Sequence, residues 1–388
     1  MQIPKKSQIF AHRYSNVNRE KYEKCLKHFQ KNVDIPILIL DRKYLQKLQN
    51  EKCEKVRKIE IAVELKYSKN RKILQDSRFK IIFFENSTTK DFLTLKTEPS
   101  KIIPKNFEVY HFGNLMVPKD IPMFLGFLRR SKFLECRNMQ ISREDQERYL
   151  DAQKSVDILA ELRDLLLEFG MFSFLNGGTF LGWYRECNII PHTTDMDISI
   201  FIEDLNPKII DYFNSRDSKL ILATKYGRIN DSLEFSVYPT SGYQVKTDIF
   251  FMYSDFENGT NMNWIGGMSP KGEKIRFYYP NYDPWCAAEL LGHIFWVTCT
   301  PEYHVKLEYG ENWFKDHHSS EYRWKSSGNN AKNVGKWKSD EMKDVRYMFY
   351  KAGIIDSNGK FEDYRRKGQN DLENLEDFGL VFSMMFFV

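Results

Sequence analysis

The segment from Asp195 to Ile202 constrains the fold more than any other, because its residues alternate between two chemical types. Successive side chains of a β-strand point to opposite faces, so a strand here buries one apolar face and carries its two acids on the other. The apolar residues are Met196, Ile198, Ile200 and Ile202. Asp195 and Asp197 then lie roughly 6–7 Å apart along the strand, which lets two carboxylates share a divalent ion. The alternative to a metal site is that the two acids are merely solvated beside a turn.

A pair of glycines precedes these acids in the chain. Residues 171–175 predict an apolar strand, Gly177 and Gly178 a turn that backbone atoms of a ligand can approach closely, and Thr179 to Cys187 a short helix. A helix N-terminus after such a turn presents free N–H groups and the positive end of the helix dipole, which suits a phosphate group. Gly-Gly-Thr alone is a weak signal, so an ordinary strand-to-helix turn is the alternative.

A third acid comes from a later pair of alternating segments, Ser232–Tyr238 and Gln244–Met252, which both predict strands. Lys246 and Asp248 share the polar face of the second segment. If this strand neighbours the first acidic strand, Asp248 completes a triad typical of a nucleotidyltransferase-type palm, where acids hold Mg²⁺ or Mn²⁺ against nucleotide phosphates. The third acid can also orient or deprotonate an attacking hydroxyl group. A structural helix cap or turn acid is the alternative for Asp248.

The size and composition of the chain exclude several classes of protein. Of its 388 residues, 42% are hydrophobic and 15% aromatic, which supplies a sizeable core and excludes wholesale disorder. The net charge of +5 is small, so charge gives no support for nucleic-acid binding. We predict a mixed α/β protein, with a smaller N-terminal α/β domain over residues 1–140, a catalytic domain with a mixed sheet over 141–350 and a C-terminal extension over 351–388.

A long helix is predicted to open the second domain. Ser142 and Asp145 have the spacing of a capping box, in which the first side chain caps the helix N-terminus. Apolar residues from Tyr149 to Phe169 recur every three or four positions, as one buried helix face requires. Gly170 follows, where a left-handed residue would end the helix.

Cysteine, membrane and targeting signals are weak. The 6 cysteines include no Cys-x-x-Cys pair, which argues against a zinc ribbon and leaves none, one or two disulfides open. No stretch reaches the roughly 20 apolar residues of a membrane helix, and the N-terminus lacks the apolar region of a signal peptide. By itself the sequence therefore predicts a soluble protein. Sequons at Asn86, Asn230 and Asn258 are compatible with a secretory lumen.

Several motifs occur in a fixed order along the second domain. The longest, from Gly178 to Pro191, reads Gly-Thr-Phe-Leu-Gly-Trp-Tyr-Arg-Glu-Cys-Asn-Ile-Ile-Pro. It is followed by Asp195-x-Asp197, Phe201-Ile-Glu-Asp204, the segment Lys225–Glu234, the segment Lys246–Phe251, and Tyr309-Gly-Glu-Asn-Trp313. In this order the motifs resemble the family of fukutin and LicD-type phospho-alcohol transferases. The resemblance covers about residues 145–340 firmly and the N-terminal domain only loosely.

The resemblance implies a nucleotidyltransferase-like fold that transfers a phosphorylated alcohol from a CDP-activated donor to a glycan on a glycoprotein, with Mg²⁺ or Mn²⁺ as the cofactor. In the fukutin branch of the family the donor is CDP-ribitol. The resemblance also implies location in the Golgi lumen or membrane and a complex with other glycosyltransferases. Family members usually carry an N-terminal membrane anchor, and none is visible in this sequence.

Matched residue by residue, the family pattern assigns functions to particular side chains. Asp195, Asp197 and Asp248 match the acids that bind metal and carry catalysis. Residues matching donor contacts are Gly177, Gly178, Thr179, Arg185 and Lys246. Arg185 has two roles open, since it either binds phosphate or fixes the loop by pairing with an acid. Outside this pattern, Trp264-Ile-Gly-Gly267 is a candidate loop facing the nucleobase or the acceptor, because aromatic rings often stack on such groups.

Two other functions stay open from the sequence. The first is a catalytically silent relative that serves as an adaptor in a glycosylation complex, although the intact set of three aspartates weighs against it. The second is a nucleotide-sugar glycosyltransferase that uses Asp-x-Asp. Such an enzyme shares the metal but forms a glycosidic bond, whereas a phospho-alcohol transferase forms a phosphodiester.

Overall fold

The computed structural model describes residues 19–30, 33–50, 52, 58–143, 148–215, 217–257, 260–280, 282–325 and 328–348. Their backbone divides into two compact units. The first comprises the described residues up to Leu134, together with residues 285–287 and 292–294. The second comprises the described residues from Glu135 onward, apart from those two short segments. The predicted C-terminal extension, residues 351–388, lies outside the described residues.

The N-terminal part of the chain interleaves short strands and helices. Its helices are α1 (Arg19–Gln30), α2 (Arg42–Gln49), α3 (Arg71–Leu74) and α4 (Ile121–Arg129). Its strands are β1 (Ile37–Ile39), β2 (Ile59–Glu64), β3 (Phe79–Glu85), β4 (Phe92–Leu95), β5 (Lys101–Pro104), β6 (Val109–Phe112), β7 (Leu115–Pro118) and β8 (Lys132–Phe133). α2 begins where the Asp41 carboxylate accepts the Tyr44 N–H at 2.8 Å, which satisfies one of the free amides of the first turn.

The rest of the described chain is richer in strands. Its helices are α5 (Ala152–Glu168), α6 (Gly177–Glu186), α7 (Lys208–Phe213), α8 (Pro301–Tyr309) and α9 (Met342–Val345). Its strands are β9 (Ser173–Leu175), β10 (Asp195–Phe201), β11 (Leu220–Arg228), β12 (Asp231–Pro239), β13 (Lys246–Glu257), β14 (Thr260–Met268), β15 (Glu273–Pro280), β16 (Cys286–Leu290), β17 (His293–Val297), β18 (Ala331–Lys336) and β19 (Arg346–Met348). This mixture confirms the α/β class predicted from the sequence.

Within the described residues, one sheet of ten strands has the order β17-β16-β8-β5-β4-β3-β2-β1-β7-β6. It is mixed, since β2 pairs with β3 and β1 with β7 in parallel, whereas β1 with β2 and β4 with β5 are antiparallel. Strands β6 and β7 form an antiparallel hairpin. It turns at Gly113, whose φ of +60° is a backbone conformation that glycine adopts without strain.

The other sheet branches at β13. Its main path is β18-β15-β14-β13-β12-β11-β19, and β10 and β9 extend from β13 beside this path. The first half of β13 pairs in parallel with β10 and antiparallel with β12, and its second half pairs with β14. Parallel neighbours need a long connection, which here contains α7 and the β11–β12 hairpin. This branch places the polar face of β10 directly beside that of β13.

The apolar face of β10 lies in the core of the second unit. Met196, Ile198 and Ile200 are at most 1% exposed. The long helix α5 adds further fully buried side chains, namely Val156, Leu159, Leu162 and Leu166. Burial of each such side chain stabilises the fold by about 1.5–3 kcal/mol, so this core holds β10 firmly in its register.

The predicted start of the long helix was wrong. α5 begins at Ala152, because the Asp151 carboxylate accepts the Lys154 N–H at 3.1 Å and caps the first turn. Ser142 therefore does not cap this helix, and Tyr149 precedes it. The predicted end is close, since α5 closes at Glu168 and Gly170 follows with a φ of +77°.

Candidate active site

Three acids lie together on two adjacent parallel strands. In the register of β10 and β13, Asp195 lies opposite Lys246 and Asp197 lies opposite Asp248. One carboxylate oxygen from each aspartate lies within 4.8 Å of the others. The structure thus brings together all three residues that the sequence predicted as metal ligands. We call these three residues the aspartate cluster. Their role as ligands stays a prediction.

Lys246 lies within the aspartate cluster. Its Nζ is 2.9 Å from an oxygen of Asp195 and 3.0 Å from an oxygen of Asp248, so one ammonium bridges both strands. Burial acts to lower the pKa of Lys246, but the two carboxylates outweigh it and hold that pKa well above its ordinary value. The lysine is therefore firmly charged and offsets part of the negative charge. Its predicted contact with donor phosphate stays a prediction.

Negative charge still exceeds positive charge in the cluster. Burial, followed by the charges of Asp195 and Asp248, raises the pKa of Asp197 well above its ordinary value. Burial also raises the pKa of Asp248, although Lys246 and a hydrogen bond of 2.7 Å from the Ser236 hydroxyl oppose this. A cation among the three carboxylates would relieve this repulsion, and hard divalent ions prefer carboxylate oxygens. The donor set therefore fits Mg²⁺ or Mn²⁺.

The glycine pair forms the first turn of α6 rather than a separate turn before it, because Asn176 occupies the position before the helix. Gly177 has a φ of +50°, and a Cβ there would lie 2.8 Å from a carboxylate oxygen of Asp197. The Gly178 N–H donates to the same oxygen at 3.1 Å, and the Asp197 N–H donates to the Thr179 hydroxyl at 2.8 Å. These residues thus position Asp197, and their contact with a donor phosphate stays a prediction.

The contacts of Arg185 favour the second of its two predicted roles, in which it fixes the loop by pairing with an acid. The guanidinium is only 2% exposed, and its Nε donates to Glu186 at 2.9 Å. Its Nη1 donates to the backbone carbonyls of Trp313 at 3.2 Å and Lys315 at 3.0 Å. These hydrogen bonds direct Arg185 to the loop after α8, and its contact with a donor phosphate stays a prediction. The residue fixes that loop to the end of α6.

His192, which the sequence left unassigned, belongs to the same set of charges. Its Nε2 donates to Asp316 at 3.2 Å, and its Nδ1 accepts the Ser319 N–H at 3.2 Å. Arg143 completes the set through bonds of 2.6 Å to Glu186 and 3.0 Å to Asp316. We call Arg143, Arg185, Glu186, His192 and Asp316 the arginine network. His192 is 5% exposed, and this burial lowers its pKa, so the ring is neutral and structural.

Sequence reasoning missed Glu308, a buried acid at the end of α8. The Tyr279 hydroxyl donates to it at 3.1 Å, and burial raises the pKa of Glu308 to about 7. Its charge also contributes to the raised pKa of Asp197, so it belongs to the electrostatic surroundings of the aspartate cluster. The available signal was its position directly before the Tyr309-Gly-x-x-Trp motif.

The predicted loop at Trp264 is in fact the middle of β14. The Trp264 ring is 3% exposed, stacks on Tyr253 with a centroid distance of 4.2 Å, and lies 3.7 Å from the Arg276 guanidinium. Its indole N–H donates to Asp255 at 2.8 Å. With both faces of the ring covered, Trp264 has no face to offer a nucleobase, so the prediction was wrong.

One disulfide fixes the end of α6. Cys187, which follows the helix with a φ of +55°, is bonded to Cys136. Among the helices that the described residues form, none has both the length and the hydrophobicity needed to span a bilayer.

Two family models match the chain. Residues 21–135 match the W02B3.4-like, N-terminal domain, and residues 170–300 match the LicD/FKTN/FKRP, nucleotidyltransferase domain. The second match contains all three members of the aspartate cluster, the glycine pair and Arg185.

Curated relatives fall into two groups. The uncharacterized proteins W02B3.4 and T07A5.1 of Caenorhabditis elegans are 46% and 41% identical, over 82% and 86% of this chain and over 83% and 89% of their own lengths. The ribitol-5-phosphate transferase FKTN of Homo sapiens is 33% identical over 61% of this chain and 50% of its own length. The mouse FKTN is 31% identical over a similar share. The match therefore spans about half of each FKTN protein.

Proposed function

Because the chain belongs to the family of proteins with a LicD/FKTN/FKRP nucleotidyltransferase domain, we propose that it is a metal-dependent transferase of a phosphorylated alcohol. The donor is a CDP-activated alcohol, and CDP-ribitol is the first candidate, since FKTN is named a ribitol-5-phosphate transferase. The acceptor is a hydroxyl group of a protein-linked glycan, so the reaction belongs to protein O-glycosylation. The observation that carries this proposal is the convergence of three carboxylates within 4.8 Å beside the N-terminus of α6.

Mg²⁺ or Mn²⁺ is the proposed cofactor, held by Asp195, Asp197 and Asp248. When bound, the ion would neutralise negative charge on the oxygen atoms of the donor pyrophosphate. The Gly178 N–H holds the Asp197 carboxylate in place for this purpose, and the Thr179 hydroxyl accepts the backbone N–H of Asp197. Lys246 is the natural partner for a donor phosphate oxygen, because its ammonium already lies at the same carboxylates and is firmly charged.

The proposed step is a displacement at phosphorus. The acceptor hydroxyl oxygen forms a bond to the phosphorus that bears the alcohol, and the bond from that phosphorus to the bridging oxygen breaks. CMP departs with the electron pair, and the hydroxyl proton passes to a carboxylate of the site. Such transfers depend chiefly on positioning and on neutralised charge, which is what a rigid pair of strands with fixed acids can supply.

The direct test measures CMP release by the purified protein from CDP-ribitol, CDP-glycerol and CDP-choline, with Mn²⁺ present and an O-glycosylated glycopeptide as acceptor. CMP together with a phosphodiester product supports the proposal and identifies the alcohol. A nucleoside diphosphate with a new glycosidic bond, formed from a nucleotide sugar, would show the Asp-x-Asp glycosyltransferase instead. Calorimetric binding of CDP-ribitol without turnover of any donor would show the adaptor.

A Golgi location and a complex with other glycosyltransferases belong to the same proposal. The Cys136–Cys187 disulfide supports a secretory compartment, because disulfides persist in oxidising lumens and are rare in the cytosol. Fractionation of cells that express the tagged full chain, with Golgi and cytosolic markers, tests the location.

A further inference from the structure

The charges of this chain are unevenly divided along its sequence. Residues 1–134 contain twenty-nine lysines and arginines against fourteen aspartates and glutamates, whereas residues 135–388 contain twenty-nine against thirty-nine. The division at residue 134 follows the boundary between the two compact units. The small net charge of the whole chain therefore conceals a strongly basic N-terminal unit. A positive excess of this size creates a field that attracts polyanions.

Two lysines of the basic unit lie directly opposite each other. Lys101 of β5 pairs with Lys132 of β8 in antiparallel register. The backbone groups of the residues on either side are hydrogen-bonded across the two strands at 2.8 and 3.0 Å. The lysines therefore form a non-hydrogen-bonded pair, the arrangement that brings opposite side chains closest. Like charges in this position destabilise a sheet, and an anion that contacts both would offset their repulsion.

Two arginines add positive charge at the same place. Arg129 and Arg130 stand at the end of α4, just before β8, and their guanidinium carbon atoms lie 3.8 and 4.3 Å from the centroid of the Trp285 ring. Trp285 belongs to the same unit and directly precedes the residue that pairs with Lys132. Contact with an aromatic ring restrains a guanidinium group, so less entropy is lost when its N–H groups bind an anion. We call Lys101, Arg129, Arg130 and Lys132 the basic cluster.

The basic cluster is accessible and lacks acidic partners. Among the residues that the structure describes, the side chains of Lys101, Arg129 and Lys132 form no ion pair. Arg129 and Lys132 are exposed, and Lys101 is half-buried. Other lysines of the unit differ, since Lys80 and Lys96 pair with glutamates at 2.9 and 2.8 Å. The cluster therefore presents positive charge that an external anion can reach.

The chemistry of the basic cluster favours one class of polyanion. Guanidinium groups bind the paired oxygens of carboxylate and sulfate, and ammonium groups add point charges. A membrane site needs apolar side chains beside its cations, whereas Leu65 and Leu74, the exposed large apolar residues described in this unit, lie in the connection from β2 to β3. The Cys136–Cys187 disulfide is typical of secretory compartments, where nucleic acids are not the usual polyanions and acidic glycans are.

We propose that the basic cluster binds an acidic glycan, one that bears sulfate or carboxylate groups. This site lies in the N-terminal unit and goes beyond the reaction proposed for the aspartate cluster. Only the choice of a glycan among polyanions rests on the proposed function, because that function acts on glycoproteins. Binding here recruits an acidic glycoprotein and takes no part in the transfer step. Sulfate and carboxylate share the same chemistry, and separate probes distinguish them.

The test measures binding of the full chain to a heparin oligosaccharide, a hyaluronan oligosaccharide and uncharged dextran, by surface plasmon resonance at physiological salt. Heparin carries sulfate groups, whereas hyaluronan carries carboxylates alone. The double variant Lys101→Gln/Lys132→Gln should weaken binding of the preferred acidic glycan by roughly 10-fold or more. Its matched control, Lys24→Gln/Lys27→Gln, removes the same charge from the exposed face of α1 and should weaken binding by less than about 3-fold.

Two further measurements protect this result. The melting temperature of Lys101→Gln/Lys132→Gln should not fall, because the repulsion between opposite lysines is removed. Arg129→Gln, which leaves the paired lysines unchanged, should weaken the same binding and provides a second variant of the cluster.

Three outcomes would overturn the proposal. Equal losses in the two double variants would show a diffuse attraction to the whole unit instead of a site. The wild-type chain might bind neither acidic glycan, or it might bind duplex DNA or phosphatidylcholine vesicles containing phosphatidylserine more tightly than either. CMP release is not measured in these experiments, so a failure of the proposed transferase function leaves their result unaffected.

Discussion

The second unit contains two clusters of buried charge that differ in their balance. In the arginine network, Arg143 and Arg185 face Glu186 and Asp316 at distances that include 2.6 and 3.0 Å, and the neutral His192 closes the set. In the aspartate cluster, three carboxylates face one ammonium, that of Lys246. In the first cluster the charged acids and bases match in number, and in the second three acids face one base.

This difference in charge balance indicates a structural role for the first cluster and a binding role for the second. A cluster with equal numbers of opposite charges needs no additional ion, and removal of one charged residue leaves its partner buried and unpaired. Like charges that outnumber their partners raise one another's pKa and favour any cation that can reach them. The arginine network therefore holds a loop against α6, whereas the aspartate cluster is suited to a metal ion.

Breaking the arginine network should produce the largest loss of stability. Arg185→Met leaves Glu186 without one of its partners, and we expect the free energy of unfolding in urea to fall by about 3–5 kcal/mol. The control is Arg137→Met, which breaks the exposed pair with Glu302 and should cost about 0–1 kcal/mol. Equal losses for the two variants would contradict a structural role for the network.

Neutralising the aspartate cluster should affect chemistry far more than folding. Asp197→Asn removes one of the proposed ligands, and we expect CMP release to fall on the order of 10²-fold or more. Its unfolding free energy should not fall, because repulsion with Asp195 and Asp248 is relieved. Asp211→Asn, on the exposed face of α7, is the control. Wild-type turnover by Asp197→Asn would falsify the mechanism.

Glu308 tests whether the excess negative charge extends beyond the three aspartates. Its pKa in the folded protein, about 7, is above the unfolded value of 4.5, so the folded state holds its proton more tightly. The stability from this group is complete below about pH 4.5 and disappears as pH rises through 7. Glu308→Gln should remove this decline, which amounts to at most roughly 3 kcal/mol. Urea unfolding of both proteins from pH 4.5 to 8 measures it, and parallel pH profiles would refute it.

The smallest expected loss of stability is that of a Lys246 variant, and its size should depend on whether a metal ion is present. Lys246→Met leaves Asp195 and Asp248 uncompensated, so without metal we expect a stability loss on the order of 2 kcal/mol. Saturating Mn²⁺ should recover most of it, because the ion supplies the missing positive charge. Thermal unfolding with and without Mn²⁺ shows the difference. A loss of the same size in both conditions would mean that no cation binds at the three aspartates.

Local pattern predicted the framework of the site well. The alternation from Asp195 to Ile200 is a property of a single strand. It could be read from the sequence because Met196, Ile198 and Ile200 form one buried face. The pairing of β10 with β13 was a further assumption, because the sequence of a strand does not show which distant strand it pairs with. The structure brings the three carboxylates together, while their function awaits the experiments above.

Other features could not be predicted, for physical reasons. Gly266 and Gly267 suggested a loop, yet a Cβ at Gly266 would collide with the side chain of Ser232, so the glycine serves the close approach of neighbouring strands. Ser142 offered a helix cap that Asp151 supplies instead.

The Cys136–Cys187 disulfide has a practical consequence for anyone who makes this protein. It secures the residue immediately after α6, the helix whose first turn holds Asp197, and it ties that end to a point 51 residues earlier in the chain. A host that keeps thiols reduced would deliver molecules whose helix lacks this tether. Recombinant material intended for activity measurements should therefore be directed through a secretory pathway, and reducing agents should be left out of its buffers.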